Sequence, residues 1–237
     1  MANTPEFDLP LLAAAQAQKH VTVNEALSRL DALVHPRITL PALTTPPATA
    51  NEGECYQVAA GATGAWAGQD GMLAVWLNGG WSFSTPKQGW RGFDQVQGAP
   101  VLFDGTAWIA DAVAASAGGA ATIQRVIETD HSLAAGASSA TAALIPANAQ
   151  VIGVTARVIA DITGSATGWS LGVAGATNRY GSGLGLAKNS WAQGLSGAPV
   201  TYYADTSLIL TAEGGTFAGG AVRLAVHLTE LVIPRSV

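Results

Sequence analysis

The chain has 237 residues, of which 49% are apolar and only 11% charged, with a formal net charge of −5. Soluble domains carry about 25% charged residues, so this surface is unusually neutral, a composition that suits burial against sister subunits or partners. The acidic balance excludes a nucleic-acid grip, which needs a basic stripe to displace counterions, and it disfavours anionic lipid.

Residues 1–38 read as an N-terminal helical arm. Its opening, MANTPEFDLP, lacks the positive start of a secretion signal, so the chain is expected to be made and kept in the cytoplasm until something else releases it. LPLLAAAQAQKH is a first helical segment. TVNE, Thr22 to Glu25, then has the form of a capping box. Val23, Leu27, Leu30 and Val34 follow at spacings of four, three and four, which puts them on one helical stripe. Pro36 stops the helix. A stripe under two heptads long packs on its own chain or meets sister subunits or a docking partner, and it does not hold an oligomer together alone.

Residues 39–111 form a small Trp-rich β domain. Its first part, TLPALTTPPATANEGE, reads as an extended connector because of Pro41, Pro46 and Pro47. ECYQVAA is a strand. It holds the lone Cys55, which reads as a small buried side chain, with no local His to make it a nucleophile or ligand. MLAVWLNGGWSFSTP is a hairpin turning at Asn78-Gly79, and PVLFDGTAWIA is a second one turning at Asp104-Gly105. Trp66, Trp76, Trp81, Trp90 and Trp108 all fall in this part. Bulky rings let so small a sheet make a core; the competing reading is an aromatic platform for sugar rings.

Residues 112–122, rich in Ala and Gly, read as a linker. This is the longest bland run, and it is too short and too weakly apolar to span a membrane.

Residues 123–237 carry strand-like runs separated by Gly, Asn and Pro turns, which predicts an antiparallel β-sandwich, jelly-roll-like, in a mainly β protein. Ile152, Val154, Ala156 and Val158 alternate onto one face. Val222, Leu224, Val226 and Leu228 do the same, leaving Arg223 and His227 outward. Leu231 and Ile233 break that parity, and a bulge near Thr229 and Glu230 would reconcile them.

Catalytic and cofactor signals are missing from the pattern. GSGLGLAKNS, Gly181 to Ser190, fails the spacing of a phosphate loop. His20, His35, His131 and His227 are scattered singly, so no metal site is expected. Glu128, Asp130, Asp161, Asp205, Glu213 and Glu230 offer acids but no pairing signal for sugar hydrolysis, and no nucleophile elbow appears. The expectation is a protein without catalysis, cofactor or metal. The loop-rich middle of the last domain does concentrate Trp169, Asn178, Arg179, Tyr180, Trp191, Tyr202, Tyr203 and Asp205. Such aromatic and polar groups suit carbohydrate or protein adhesion, or else cap the sandwich or line a subunit interface.

Residues 5–110, with the core Q-x-QKH-x-T-x-NEAL-x-x-LD and then ECYQVAAGATGAWAGQDGMLAVWLNGGWSFSTPKQGW and LFDGTAW, resemble a phage-associated family known as the domain of unknown function 2793. IPANAQVIGVTARV, WSLGVAG, RYGSGLGLA and VRLAVHL are similar to the tails attached to that family. The resemblance implies a tail fibre or head spike of a prophage or gene transfer agent. The helix would be its attachment and assembly element, through Val23, Leu27, Leu30 and Val34. The sandwich would be its distal, receptor-facing part. Implied partners are other virion-type structural proteins, a bacterial surface polysaccharide and further copies of the chain, with a trimer favoured. Implied, too, is residence in a phage-like particle assembled in the bacterial cytoplasm and released by lysis; charge and hydropathy, for their part, predict no nucleic-acid partner and no membrane insertion. No catalytic residues are carried over.

Overall fold

The helix anticipated near the start is present as α1, Lys19–Val34, in a computed structural model that describes residues 3–5, 9, 11 and 19–236, without the side chains of Lys19, His20 and Thr22. The helical segment expected over residues 9–20 falls mostly outside the described residues. α1 already spans Thr22, so TVNE lies within the helix rather than at its mouth, and the bonding of that box lies outside the described side chains.

The helix is inverted relative to ordinary amphipathic packing. Ser28, Asp31 and Ala32 are buried, while Leu30 and Val34 are 52% and 60% exposed and Val23 is also exposed. Leu27 is half-buried. Of the apolar stripe, then, Val23, Leu30 and Val34 face solvent and Leu27 is partly covered. The buried face is polar because it is satisfied locally: Thr4 Oγ1 donates to Asp31 Oδ1 at 2.7 Å, and Leu9 N–H donates back to Thr4 Oγ1 at 3.0 Å.

The chain divides into two compact units, residues 1–121 with 233–237, and residues 122–232. The strands of the first are β1 (Arg37–Leu43), β2 (Cys55–Val58), β3 (Leu73–Leu77), β4 (Gly80–Ser84), β5 (Arg91–Asp94), β6 (Ala99–Phe103), β7 (Trp108–Ala110) and β8 (Ala112–Ala115). Seven of them form one sheet in the order β4-β3-β2-β1-β5-β6-β7. β1 is its middle strand, parallel to both β2 and β5. The expected connector is thus in part the centre of the sheet. Its prolines misled because a proline breaks a ladder only where its N–H is needed. Pairing with β2 runs at Ile38 and Thr39, lapses across Pro41 and resumes at Leu43.

Both hairpins stand where the turn residues put them. Asn78 and Gly79 take φ of 53° and 78° between β3 and β4, as a two-residue turn requires. At the β6–β7 turn the Asp104 carboxylate accepts from the Thr106 and Ala107 N–H groups, both at 2.8 Å. Small clusters lie on the sheet: Ala32, Ile38, Leu40, Cys55, Leu73, Val75 and Val101 in one, Val58, Trp66 and Ala74 in another. In the second, Trp66 packs edge-on against Trp81 at 5.0 Å, and Trp81 against Trp76 at 5.0 Å. Trp66 is buried at the centre of that cluster, and Trp90 and Trp108 pack half-buried against the aliphatic one.

Residues 112–122, expected as a linker, are ordered into strand and turn. β8 occupies the start, and the Ser116 N–H donates to the Ala120 carbonyl across a tight turn at 2.8 Å. Ala and Gly permit extended backbone as readily as coil, so composition alone does not tell the two apart.

The second unit contains β9 (Ala121–Ser132), β10 (Ser138–Ile145), β11 (Ala149–Gly164), β12 (Gly168–Val173), β13 (Ala176–Leu184), β14 (Trp191–Tyr202), β15 (Thr206–Glu213) and β16 (Phe217–Val232). One sheet runs β10-β15-β12-β13, and the strands that this unit gives to the other run β14-β11-β16-β9. First neighbours last, second neighbours seventh, third neighbours sixth and fourth neighbours fifth, which is jelly-roll order. The core between the sheets includes Ile145, Val154, Val158, Trp169, Leu171, Tyr180, Leu208, Leu210, Leu224 and Leu228. At Gly194 any Cβ would stand 2.1 Å from the Tyr180 carbonyl, so only glycine lets β14 lie this close to β13.

Val222, Leu224, Val226 and Leu228 do share the buried face of β16. Beyond them Leu231 stays outward and exposed at the end of β16. An irregularity lies on β11, where its pairing with β16 shifts between Val151 and Gly153. The extra residue there is Ile152, which is therefore exposed rather than sharing the face of Val154, Ala156 and Val158.

Candidate functional site

The outward face of the β14-β11-β16-β9 sheet carries the most chemistry. Alternation on β14 sends Ala192 into the core and leaves Trp191 and Gln193 outward. Register then sets Trp191 opposite Arg157 of β11, and Arg157 opposite Arg223 of β16. In the next outward row Gln193 faces Thr155, and Thr155 faces Ala225. Glu128 of β9 completes the rim of a shallow depression of ≈ 410 Å³. Trp191 is 63% exposed, and the small outward Ala225 lines the depression beside the polar groups.

Charge on this face is unevenly settled. Arg223 Nε and Nη2 donate to the two Asp130 carboxylate oxygens at 2.6 and 2.8 Å, a bidentate pair. Glu128 lies 3.6 Å from Arg223 Nε. The Arg223 bond holds the Asp130 carboxyl below its usual range. Arg157, by contrast, donates only a long 3.3 Å bond to the Asn189 carbonyl. Among the described residues no carboxylate lies within ion-pair distance of it. Further along the strands, Ile152, Leu195 and His227 border a smaller depression of ≈ 240 Å³.

The eight residues singled out from the loop-rich stretch do not form one cluster. Trp169 is 1% exposed in the core, and its Nε1 donates to the Gly185 carbonyl at 3.0 Å. Tyr180 is buried too, its hydroxyl 2.7 Å from that of half-buried Tyr202; burial and then the Tyr202 contact push its pKa up. Neither Trp169 nor Tyr180 offers a ring face to a ligand. Trp169 lies on β12, which is buried on both faces, and Tyr180 is the buried residue of otherwise open β13. Asp205 accepts the Ala147 N–H at 2.8 Å and so fastens a loop. Asn178, Arg179 and Tyr203 are exposed. Trp191 alone of the eight lines the depression. Arg157, Gln193, Thr155, Arg223 and Glu128 escaped notice as a set because they come from four strands. The alternation of β9 and β16, which turns Glu128, Asp130 and Arg223 outward, was the available signal.

In the first unit a groove of ≈ 630 Å³ runs between Pro46 and Pro47 on one side and Trp76 and Trp81 on the other. Among the described residues no group of three or more His, Cys, Asp or Glu is placed to hold a metal. No described helix is long and apolar enough to cross a membrane.

The molecule is thus a jelly-roll sandwich with an aromatic and charged open face, combined with a seven-stranded Trp-rich sheet. Residues 23–109 match the family described as protein of unknown function DUF2793. That match begins in α1 and ends in β7, before the second unit starts. Among solved structures, a chain described as "Cyanophage Pam1 capsid asymmetric unit" is 22% identical, with a TM-score of 0.36, covering 46% of this chain and 86% of its own. No curated protein matches the chain.

Proposed function

We propose that the chain is a structural component of a phage-like particle, a tail fibre or head spike, that adheres through its second unit to a bacterial surface polysaccharide. One observation carries the adhesive part: Trp191 stands exposed on an open sheet face beside Arg157, Gln193 and Thr155. A flat indole stacks on the CH face of a sugar, and guanidinium, amide and hydroxyl groups bond its hydroxyls. A ring this exposed contributes little to folding. The particle assignment draws on the DUF2793 match and on the resemblance of that family to phage structural proteins. Jelly rolls serve capsid and lectin proteins alike, a fold-level analogy.

Self-association belongs to the same reading. Val23, Leu30 and Val34 are turned to solvent along α1, and low charge density leaves the surface free to pack about an axis, with a trimer favoured. The competing reading is a polysaccharide-degrading spike. Cleavage needs two carboxyls, one of them able to deliver a proton. Glu128 and Asp130 both lean on Arg223, and that partner keeps Asp130 charged, the wrong state for a general acid.

A glycan array probed with the full chain and with W191A tests the proposal. Binding by the parent and loss in W191A is the expected result. Failure of the parent to bind any glycan leaves an architectural adaptor. Release of oligosaccharide from purified capsule points to an enzyme.

A further inference from the structure

We infer that the open face of the second unit selects acidic polysaccharide, with Arg157 binding a uronate carboxylate on a sugar stacked over Trp191. The inference rests on the adhesive reading above and names the ligand class of that site. Two arginines, Arg157 and Arg223, are direct cross-strand partners, an arrangement that like-charge repulsion disfavours. One of them is neutralised: Asp130 grips Arg223 bidentately, with Glu128 in reserve. The other is left with a single long bond to a neutral carbonyl. That residual cation lies opposite the most accessible ring of the face, Trp191, in the same depression.

A carboxylate arriving at Arg157 supplies the counter-charge that Asp130 already supplies to Arg223. Arg157 presents a planar fork suited to two parallel bonds to a carboxylate. Its strand neighbour Trp191 offers the adjoining pyranose a flat face. Gln193 and Thr155, in the next row, provide bonds for hydroxyls. Neutral sugars would use the ring and the amide but leave the guanidinium unmatched. Because Arg223 is already occupied, one carboxylate per site is expected rather than two.

The test uses the full chain with polygalacturonate, the same polymer after carboxyl reduction, and neutral dextran, in affinity electrophoresis and calorimetry. Polygalacturonate should bind, its reduced form about 10-fold or more weaker, which is the loss of one charge-assisted pair. R157Q should bind the two forms equally weakly, and W191A should lose both, with circular dichroism unchanged. Equal binding of charged and reduced polymer by the parent, or no effect of R157Q, overturns the acidic selectivity and leaves the adhesive reading standing. No binding of any polysaccharide, here or on the glycan array, overturns both. A particle mass that falls on W191A or R157Q substitution overturns the inference by making this face a contact between copies.

Discussion

Arg235 donates through Nη1 to Asp104 Oδ2 at 2.6 Å, joining positions 131 residues apart within the first unit. The same guanidinium donates through Nη2 to the Ala117 carbonyl at 2.7 Å, and the Arg235 N–H donates to the Gly118 carbonyl at 2.8 Å. Asp104 is fully buried and also closes the β6–β7 turn. Arg235 thus fastens the run after β8 to the seven-stranded sheet. Gly119, with φ of 86°, lies directly beneath the arginine, where a Cβ would come within 2.9 Å of it.

Removing this clamp should destabilise the first unit. R235A leaves a buried carboxylate without its charged donor, a loss of about 2 kcal/mol. Thermal unfolding should show the transition shifted down by several degrees, and an unshifted transition would mean that the pair contributes nothing net.

The same carboxylate sets an acid limit. Burial alone would raise the Asp104 pKa, but the Ala107 N–H, the Arg235 guanidinium and the Thr106 N–H outweigh it, and the value is lowered. A lowered carboxyl binds its proton more readily when unfolded, so its stabilisation is present above about pH 4 and is lost as pH falls through the folded value. Denaturant titrations between pH 5 and 2 should show this loss in the parent and much less of it in D104N.

His131 predicts a milder pH effect in the second unit. Burial lowers its pKa, and its Nε2 lies 2.8 Å from Ser139 Oγ. The unfolded chain therefore takes the proton first, and stability should decline as pH drops below about 6.5. H131Q should flatten the dependence between pH 7 and 5. An identical slope in the variant would place the effect elsewhere.

Assembly through α1 is open to a clean substitution. Leu30 and Val34 are more than half exposed, so L30E and V34E should change folding stability by about 0.5 kcal/mol or less. Light scattering should show multiples of the chain mass for the parent and a smaller particle for the double variant. A monomeric parent at micromolar concentration would count against the trimer.

The two tryptophans of the loop-rich stretch should behave oppositely. Trp169 fills the sandwich core, and W169A should cost about 3–5 kcal/mol. Trp191 stands in solvent, and W191A should stay within about 0.5 kcal/mol while losing glycan binding. Chemical denaturation of both variants checks the contrast.

What was readable along the chain was what local chemistry dictates. Asn78-Gly79 and Asp104-Gly105 announce their turns because few other pairs tolerate those backbone angles. The period of β16 announces its buried face because a strand alternates. The helix end is legible at Pro36, and the mainly β class follows from the many short runs.

Residues alone did not reveal which elements meet. Pro41 argued for a connector until the parallel pairing of β1 with β2 and β5 was known, since a proline's cost depends on which neighbour needs its missing N–H. Val23, Leu30 and Val34 looked like a packing stripe, but the side of α1 that faces the sheet is the one whose Asp31 finds Thr4. Trp169 and Trp191 are the same residue type a short distance apart in sequence; the sheet each joins and the way it faces put one in the core and the other in water. The pairing of Arg157 with Trp191 and Arg223 is a matter of register between distant strands, so the candidate site exists only once the sandwich has closed.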